Sequence, residues 1–254
     1  MALGLSIGAF SPAPAAGPGE AETLYQRGDM AAAASLARSL NSAEGFSLAS
    51  KATLVQAAYL SPDTEKQALF ELAAADARQA LALEPDHVDA HLQLAIALGQ
   101  LAELKNPISA HVGGYTEEGK ALLDQALLLD PDNEWAQALL GMWHLRVVHH
   151  AGAALAGQLY GASRETGVGL CLQAIGGARS ALALKYGCAA VLVELDFDQF
   201  EDTAERTLAA VKDAAARDAA ENLVQAEATR LLDELKSGAF ERSRRDARES
   251  ELVP

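Results

Sequence analysis

The chain has 254 residues, half of them apolar, and a formal net charge of −15 at pH 7. An acidic balance of that size argues against nucleic acid, whose phosphates need clustered Lys and Arg, and against anionic membrane surfaces. It fits a well-solvated surface, or one that meets a basic partner. The apolar half is made of 55 Ala and 39 Leu, with aromatics at only 5%. Both are strong helix formers, and Ala lets helix axes approach closely. Alternating β-branched runs are nearly absent, so the composition predicts helix throughout. The two cysteines, Cys171 and Cys188, are too few for a metal framework or a disulfide scaffold. They read as buried thiols in helices, and one disulfide is open to an exported chain.

The chain starts with an apolar run, Ala2–Phe10, followed by a Pro-, Ala- and Gly-rich stretch. Ala13-Pro14-Ala15 fits the small-residue cleavage pattern of a secretory signal, although no basic segment precedes it. The expectation is a leader or signal-like segment over 1–19 and an exported, periplasmic protein, with a cytoplasmic one as the alternative. Beyond it the hydrophobic periodicity predicts helices over 20–27, 29–41, 46–60, 64–83, 87–104, 115–129, 133–150, 152–162, 166–185, 188–197, 199–216 and 219–236. The last carries Ala220, Leu223, Val224, Ala228, Leu231, Leu232 and Leu235 as a one-faced stripe suited to capping a solenoid. A charged tail over 237–254, nearly without apolar residues, is expected to be disordered. The longest uncharged stretch, Val147–Ser163, holds two His, a Gln and three Gly, which excludes a membrane span.

Small residues recur at fixed spacing along the helices predicted over 20–236. Leu24-Tyr25-Gln26-Arg27-Gly28-Asp29 is followed by Ala33, Ala37 and Leu40. Ala73, Ala77 and Ala80 lead to Pro85 in ALALEPD, and Gly119, Leu123 and Ala126 lead to Pro131 in ALLLDPD. Ala174, Ala178 and Ala181 lead to ALALKYG, where Tyr186 stands in place of the proline. After the prolines, Ala90, Leu94 and Ala95 match Ala136, Leu140 and Gly141. The pattern resembles the tetratricopeptide repeat, in a degenerate form with insertions, from about Glu20 to Leu195. The resemblance implies an all-α, right-handed α-α superhelix of about three to four helix pairs. The small residues would seat one helix on the next, the proline would stop a helix, and the Asp after it would cap its successor. On this alignment Ala80, Ala126 and Ala181 are expected to be buried at helix contacts.

The remaining constellations carry little chemistry. His144, His149 and His150 cluster, but the i to i+5 spacing turns His149 away from His144, and no metal-binding motif accompanies them. In the insertion Gly152–Gly169, Gly157 and Gly161 permit a close helix contact, while Gly167 and Gly169 do not complete a dinucleotide fingerprint. The acidic run from Glu194 to Glu205 lacks the glycine turn of a calcium loop. No catalytic residue, cofactor or metal site is assigned. The favoured function is a non-enzymatic scaffold that holds another protein or peptide in a groove. A small-molecule or lipid-binding module is the alternative, and an enzyme with a histidine-based site the third reading. The two insertions, Asn106–Tyr115 and the one after His150, should form one surface. Tyr115, Tyr160 and Arg164 are the expected partner contacts, with Trp143 lining the groove behind them.

Overall fold

The computed structural model describes residues 18–105, 112–178 and 180–243. The leader-like segment before residue 18, most of the Asn106–Tyr115 insertion and the tail beyond residue 243 lie outside the described residues. Among the described residues, twelve α-helices of eight residues or more follow one another: α1 (Pro18–Arg27), α2 (Met30–Ser39), α3 (Ala43–Val55), α4 (Asp63–Leu83), α5 (Val88–Glu103), α6 (Tyr115–Leu129), α7 (Glu134–Ala151), α8 (Ala153–Tyr160), α9 (Arg164–Gly176), α10 (Leu182–Leu195), α11 (Phe197–Asp213) and α12 (Ala219–Lys236). A single π-helical turn, Gln56–Leu60, continues α3. No strand occurs among the described residues.

Antiparallel neighbours pair as α1/α2, α3/α4, α5/α6, α7/α9 and α10/α11, with α12 stacked on the last pair. Five pairs therefore form a superhelix of the expected kind. Small residues set their spacing. Ala73, Ala77 and Ala80 on α4, Ala126 on α6 and Ala90 and Ala136 at the starts of α5 and α7 are all without solvent contact. Where α7 crosses α9, two glycines do the same work. A Cβ on Gly141 would lie 2.8 Å from the Leu170 Cβ, and one on Gly167 would lie 2.6 Å from Leu145 Cδ2. The expected Gly157–Gly161 contact belongs to α8 instead, where Gly161 takes the left-handed conformation that ends the helix.

Two details differ from the sequence reading. The residue after each proline is expected to cap the next helix. Asp86 and Asp132 instead lie in the turn, and the following residues cap: His87 accepts from the Ala90 N–H and Asn133 from the Ala136 N–H, at 3.3 and 3.0 Å. The final unit is also phased differently. The helix expected over 166–185 stops at Gly176, because the Gly176-Gly177 pair costs helix stability and leaves the backbone free to turn. Ala178 is then exposed and Ala181 only half-buried, ahead of α10, so ALALKYG begins a helix rather than ending one. This adds a fifth pair to the three or four expected.

Polar clamps reinforce the stack. The Arg38 guanidinium at the end of α2 grips the buried Asp76 carboxylate of α4 with both oxygens and donates to Thr53 Oγ1 of α3 at 2.8 Å. Cys171 and Cys188 are free and fully buried on facing helices α9 and α10. The hydrogen bond to Cys188, then burial, holds the Cys171 thiol far above its ordinary range, which makes it a poor nucleophile. Past α12, residues 239–243 are helical and Phe240 stacks on Phe197 at 6.0 Å, so this part of the expected tail packs on the fold.

Replacing Ala80 or Ala126 with Leu should cost about 1–3 kcal/mol in urea unfolding, because neither site has room for added methylenes. The half-buried Ala181 should lose clearly less from the same change. Both thiols should stay silent to a disulfide reagent in native buffer and react together on unfolding.

Candidate functional site

The first helices of successive pairs touch each other in the order α1, α3, α5, α7 and α10, then α12. They form the inner, shorter circumference of the superhelix, and this face is where solenoid proteins seat their ligands. Here the circuit closes, because α12 also meets α1. Gly28, which takes a positive φ, brings its backbone so close that an added Cβ would lie 3.1 Å from the Ala219 Cβ. Tyr59 on the π-turn packs into the cluster formed by α10, α11 and α12.

The inner face carries an open cleft, of about 210 Å³, at the C-terminal ends of α5, α7 and α10. Glu103, Arg146, His149, His150, Val191 and Glu194 line it. The Arg146 guanidinium lies between two carboxylates, 3.0 Å from Glu103 and 3.8 Å from Glu194. The His150 Nε2 sits 3.4 Å from the same Glu103 oxygen. These charges are held at helix C-termini, where cations are favoured by the helix dipole. The hydrogen bond to Glu103 raises the His150 imidazole above its ordinary value, against the effect of burial. Burial pushes Glu103 up, but His150 and Arg146 together bring it below the usual carboxylate value. A second cleft, of about 190 Å³ between α7 and α9, is lined by Glu134, Gln137, Gln173 and Ser180 among others.

The residues singled out in the sequence go to different places. Trp143 and Tyr160 meet in one cluster with Val148 and Ala156, and the Trp143 indole donates to the Thr116 carbonyl at 3.0 Å. Tyr160 feels the Glu117 carboxylate, so α8 and the start of α6 lie together. Tyr115 packs at the edge of the α3–α5 core under the Lys105 ammonium. Arg164 turns elsewhere, to a 2.8 Å ion pair with Asp196 at the α10–α11 corner. His144 is a packed imidazole: its Nδ1 accepts from the Ser163 N–H at 3.2 Å and its ring meets Trp143 edge-on. It does not converge with His149, whose ring meets His150 edge-on instead. Among the described residues no group of His, Cys, Asp or Glu is placed to hold a metal. The Glu103–Arg146–Glu194 set escaped sequence reasoning. Its members come from three helices and no local pattern links them.

Residues 20–166, more than half of the chain, match the family model of regulator of microtubule dynamics protein 1-3. The chain belongs to this family. No curated protein matches this member of it. Among solved structures, it is similar to a thermophilic TPR protein of Thermus thermophilus, with 17% identity and a TM-score of 0.57, over 84% of this chain and 97% of that one. That likeness shows the tetratricopeptide fold. The family match stops at the end of the α8 insertion and the start of α9, so α10 to α12 lie beyond it.

The cleft predicts a pH response. His150 favours its charged form in the folded state, so its stabilisation is present below the ordinary 6.5 and fades as pH rises through the raised value. Glu103 works in the other sense: its share is present above 4.5 and is lost as pH falls through the lowered value. His150→Ala should flatten the stability–pH curve over about pH 6 to 8, where histidine changes charge. NMR titration should place His150 above a free histidine; a value at or below it would contradict this geometry.

Proposed function

We propose that this chain is a non-enzymatic scaffold that binds another protein on the inner face of its helical superhelix. The cleft at the ends of α5, α7 and α10 is the contact point. The supporting observation is Arg146, held between carboxylates of two neighbouring helices and still partly open to solvent. Charge fixed in this way on a rigid inner face offers a partner orientation and register, while the surrounding Ala-rich packing keeps the groups in place. The tetratricopeptide-like fold supports a binding role, and the partly exposed histidines of the cleft lie away from the buried His144. The cleft is small and about as polar as apolar, which favours a protein's side chain over a lipid or an enclosed small molecule.

The apolar Ala2–Phe10 run and Ala13-Pro14-Ala15 support export to the periplasm. Fractionation of cells should find the mature chain outside the cytoplasm if that is right, and inside it if not.

The test uses paired capture from the native organism with wild-type chain and with Arg146→Ala plus Glu194→Arg. The variant should lose the same specific partner that wild type retains, with its melting temperature nearly unchanged, since these groups are solvent-facing. Equal recovery by both would move the site away from the cleft.

A further inference from the structure

The closed circuit of inner helices is asymmetric. On one side α12 buries Val224, Ala228, Leu231, Leu232 and Leu235 against Ala189 and Val193 of α10 and Ala204, Leu208 and Val211 of α11. The Gln225 amide adds hydrogen bonds to the carbonyls of Val211, Lys212 and Ala214. On the other side α12 meets the first unit mainly through its first turn. Ala220 joins Tyr25, Met30, Ala33, Ala34 and Ala52, and Ala219 faces Gly28. Burial first, then the nearby Asp218 and Glu221 carboxylates, hold the Tyr25 hydroxyl above its ordinary range, and its ring carries the Lys51 ammonium at 4.3 Å. Further along, Glu227 lies near both Tyr59 and Tyr186. One edge of α12 is thus anchored by a broad apolar face, and the other closes on a narrow contact of small residues.

Resting on the reading of the inner face as the partner site, we infer that the contact between α12 and α1 is a latch. The face it covers, Tyr25 on α1 with Lys51 on α3 and Tyr59 on the π-turn, is the docking surface for a partner helix that resembles α12. The resident helix shows what that surface accepts. The occupant is an amphipathic helix that begins with two small residues, flanked by carboxylates as in Asp218-Ala219-Ala220-Glu221. The small pair fits against Gly28, where only a residue without a Cβ leaves room. The first carboxylate caps the helix and the second takes an arginine one turn earlier, as Asp218 accepts from the Glu221 N–H and Glu221 from Arg217. When the latch opens, α12 keeps its hold on α10 and α11 and leaves the first two units. A helix that binds the first unit and competes with α12 gains affinity whenever the latch is weakened, because a resident competitor lowers apparent affinity by the fraction of time it occupies the site.

The experiment titrates a fluorescein-labelled synthetic peptide of residues 216–236 into the full chain, as wild type and as Ala220→Arg. Arginine cannot seat among Tyr25, Met30 and Ala33, whereas Val224 to Leu235 still hold α12 on its own pair. The peptide should bind the variant at least about tenfold more tightly than wild type, as expected when a cis competitor is removed. A peptide carrying the same Ala220→Arg change should not bind. Equal affinity for the two chains, or no binding to either, overturns the latch. Should the variant fail to fold, hydrogen exchange on wild type decides. Amides of α1 and of the first turn of α12 should open together at lower free energy than those of α10 and α11; opening of all four only in global unfolding overturns it. The peptide assay involves no native partner, so it can fail while cleft variants still lose the partner, or succeed while they do not.

Discussion

The structure depends on how closely its helices approach, and that distance is set by what is missing from their contact faces. Ala73, Ala77, Ala80, Ala90, Ala126 and Ala136 are fully buried at pair interfaces, and Gly141 and Gly167 let α7 and α9 meet almost backbone to backbone. With axes this near, each pair stacks on the next with little lateral freedom, and the inner helices come round until α12 reaches α1. A chain with larger residues at these positions would wind more openly and leave a wider groove. The poverty in aromatics and the tightness of the superhelix are the same fact seen at two levels.

That tightness governs the candidate site. An inner face nearly filled by its own helices has little room for an extended ligand, and a polar cleft stays open where α5, α7 and α10 end. Its charges come from three helices and are held by one another: Arg146 between Glu103 and Glu194, His150 on Glu103. The insertion after His150 reinforces this end of the molecule. Folding α8 back against α7 buries Ala156 and leaves Leu155 and Leu159 exposed, while Trp143 ties α7 to the start of α6.

Much of the fold was legible in the sequence because its signals are local. Apolar residues three and four apart, small residues one turn apart and the two Leu-x-Pro-Asp stops each act within a single helix or hairpin. Failures came where two local rules competed or where the decisive contact was distant. Gly176-Gly177 outweighed the small-residue pattern running through Ala178 and Ala181, so the last unit was phased as one long helix. At both proline turns the cap moved one residue on, because Asp86 and Asp132 were taken up by the turn itself. The Arg38–Asp76 clamp joins residues 38 apart and the His150–Glu103 bond residues 47 apart, which no periodicity reports. Arg164 pairs with Asp196, 32 residues on, a contact that no local pattern reports. Tyr160 and Trp143 lie in one cluster, since the insertion returns to the helix it leaves.

The central claim is that a partner protein meets the inner face of this superhelix. The most direct measurement places a photo-crosslinking amino acid singly at Glu194, in the cleft, and at Leu128, on the exposed outer surface of α6, and irradiates the chain in its native cells. The account predicts one specific covalent adduct from position 194 and none from position 128. An adduct formed from position 128 alone would contradict it.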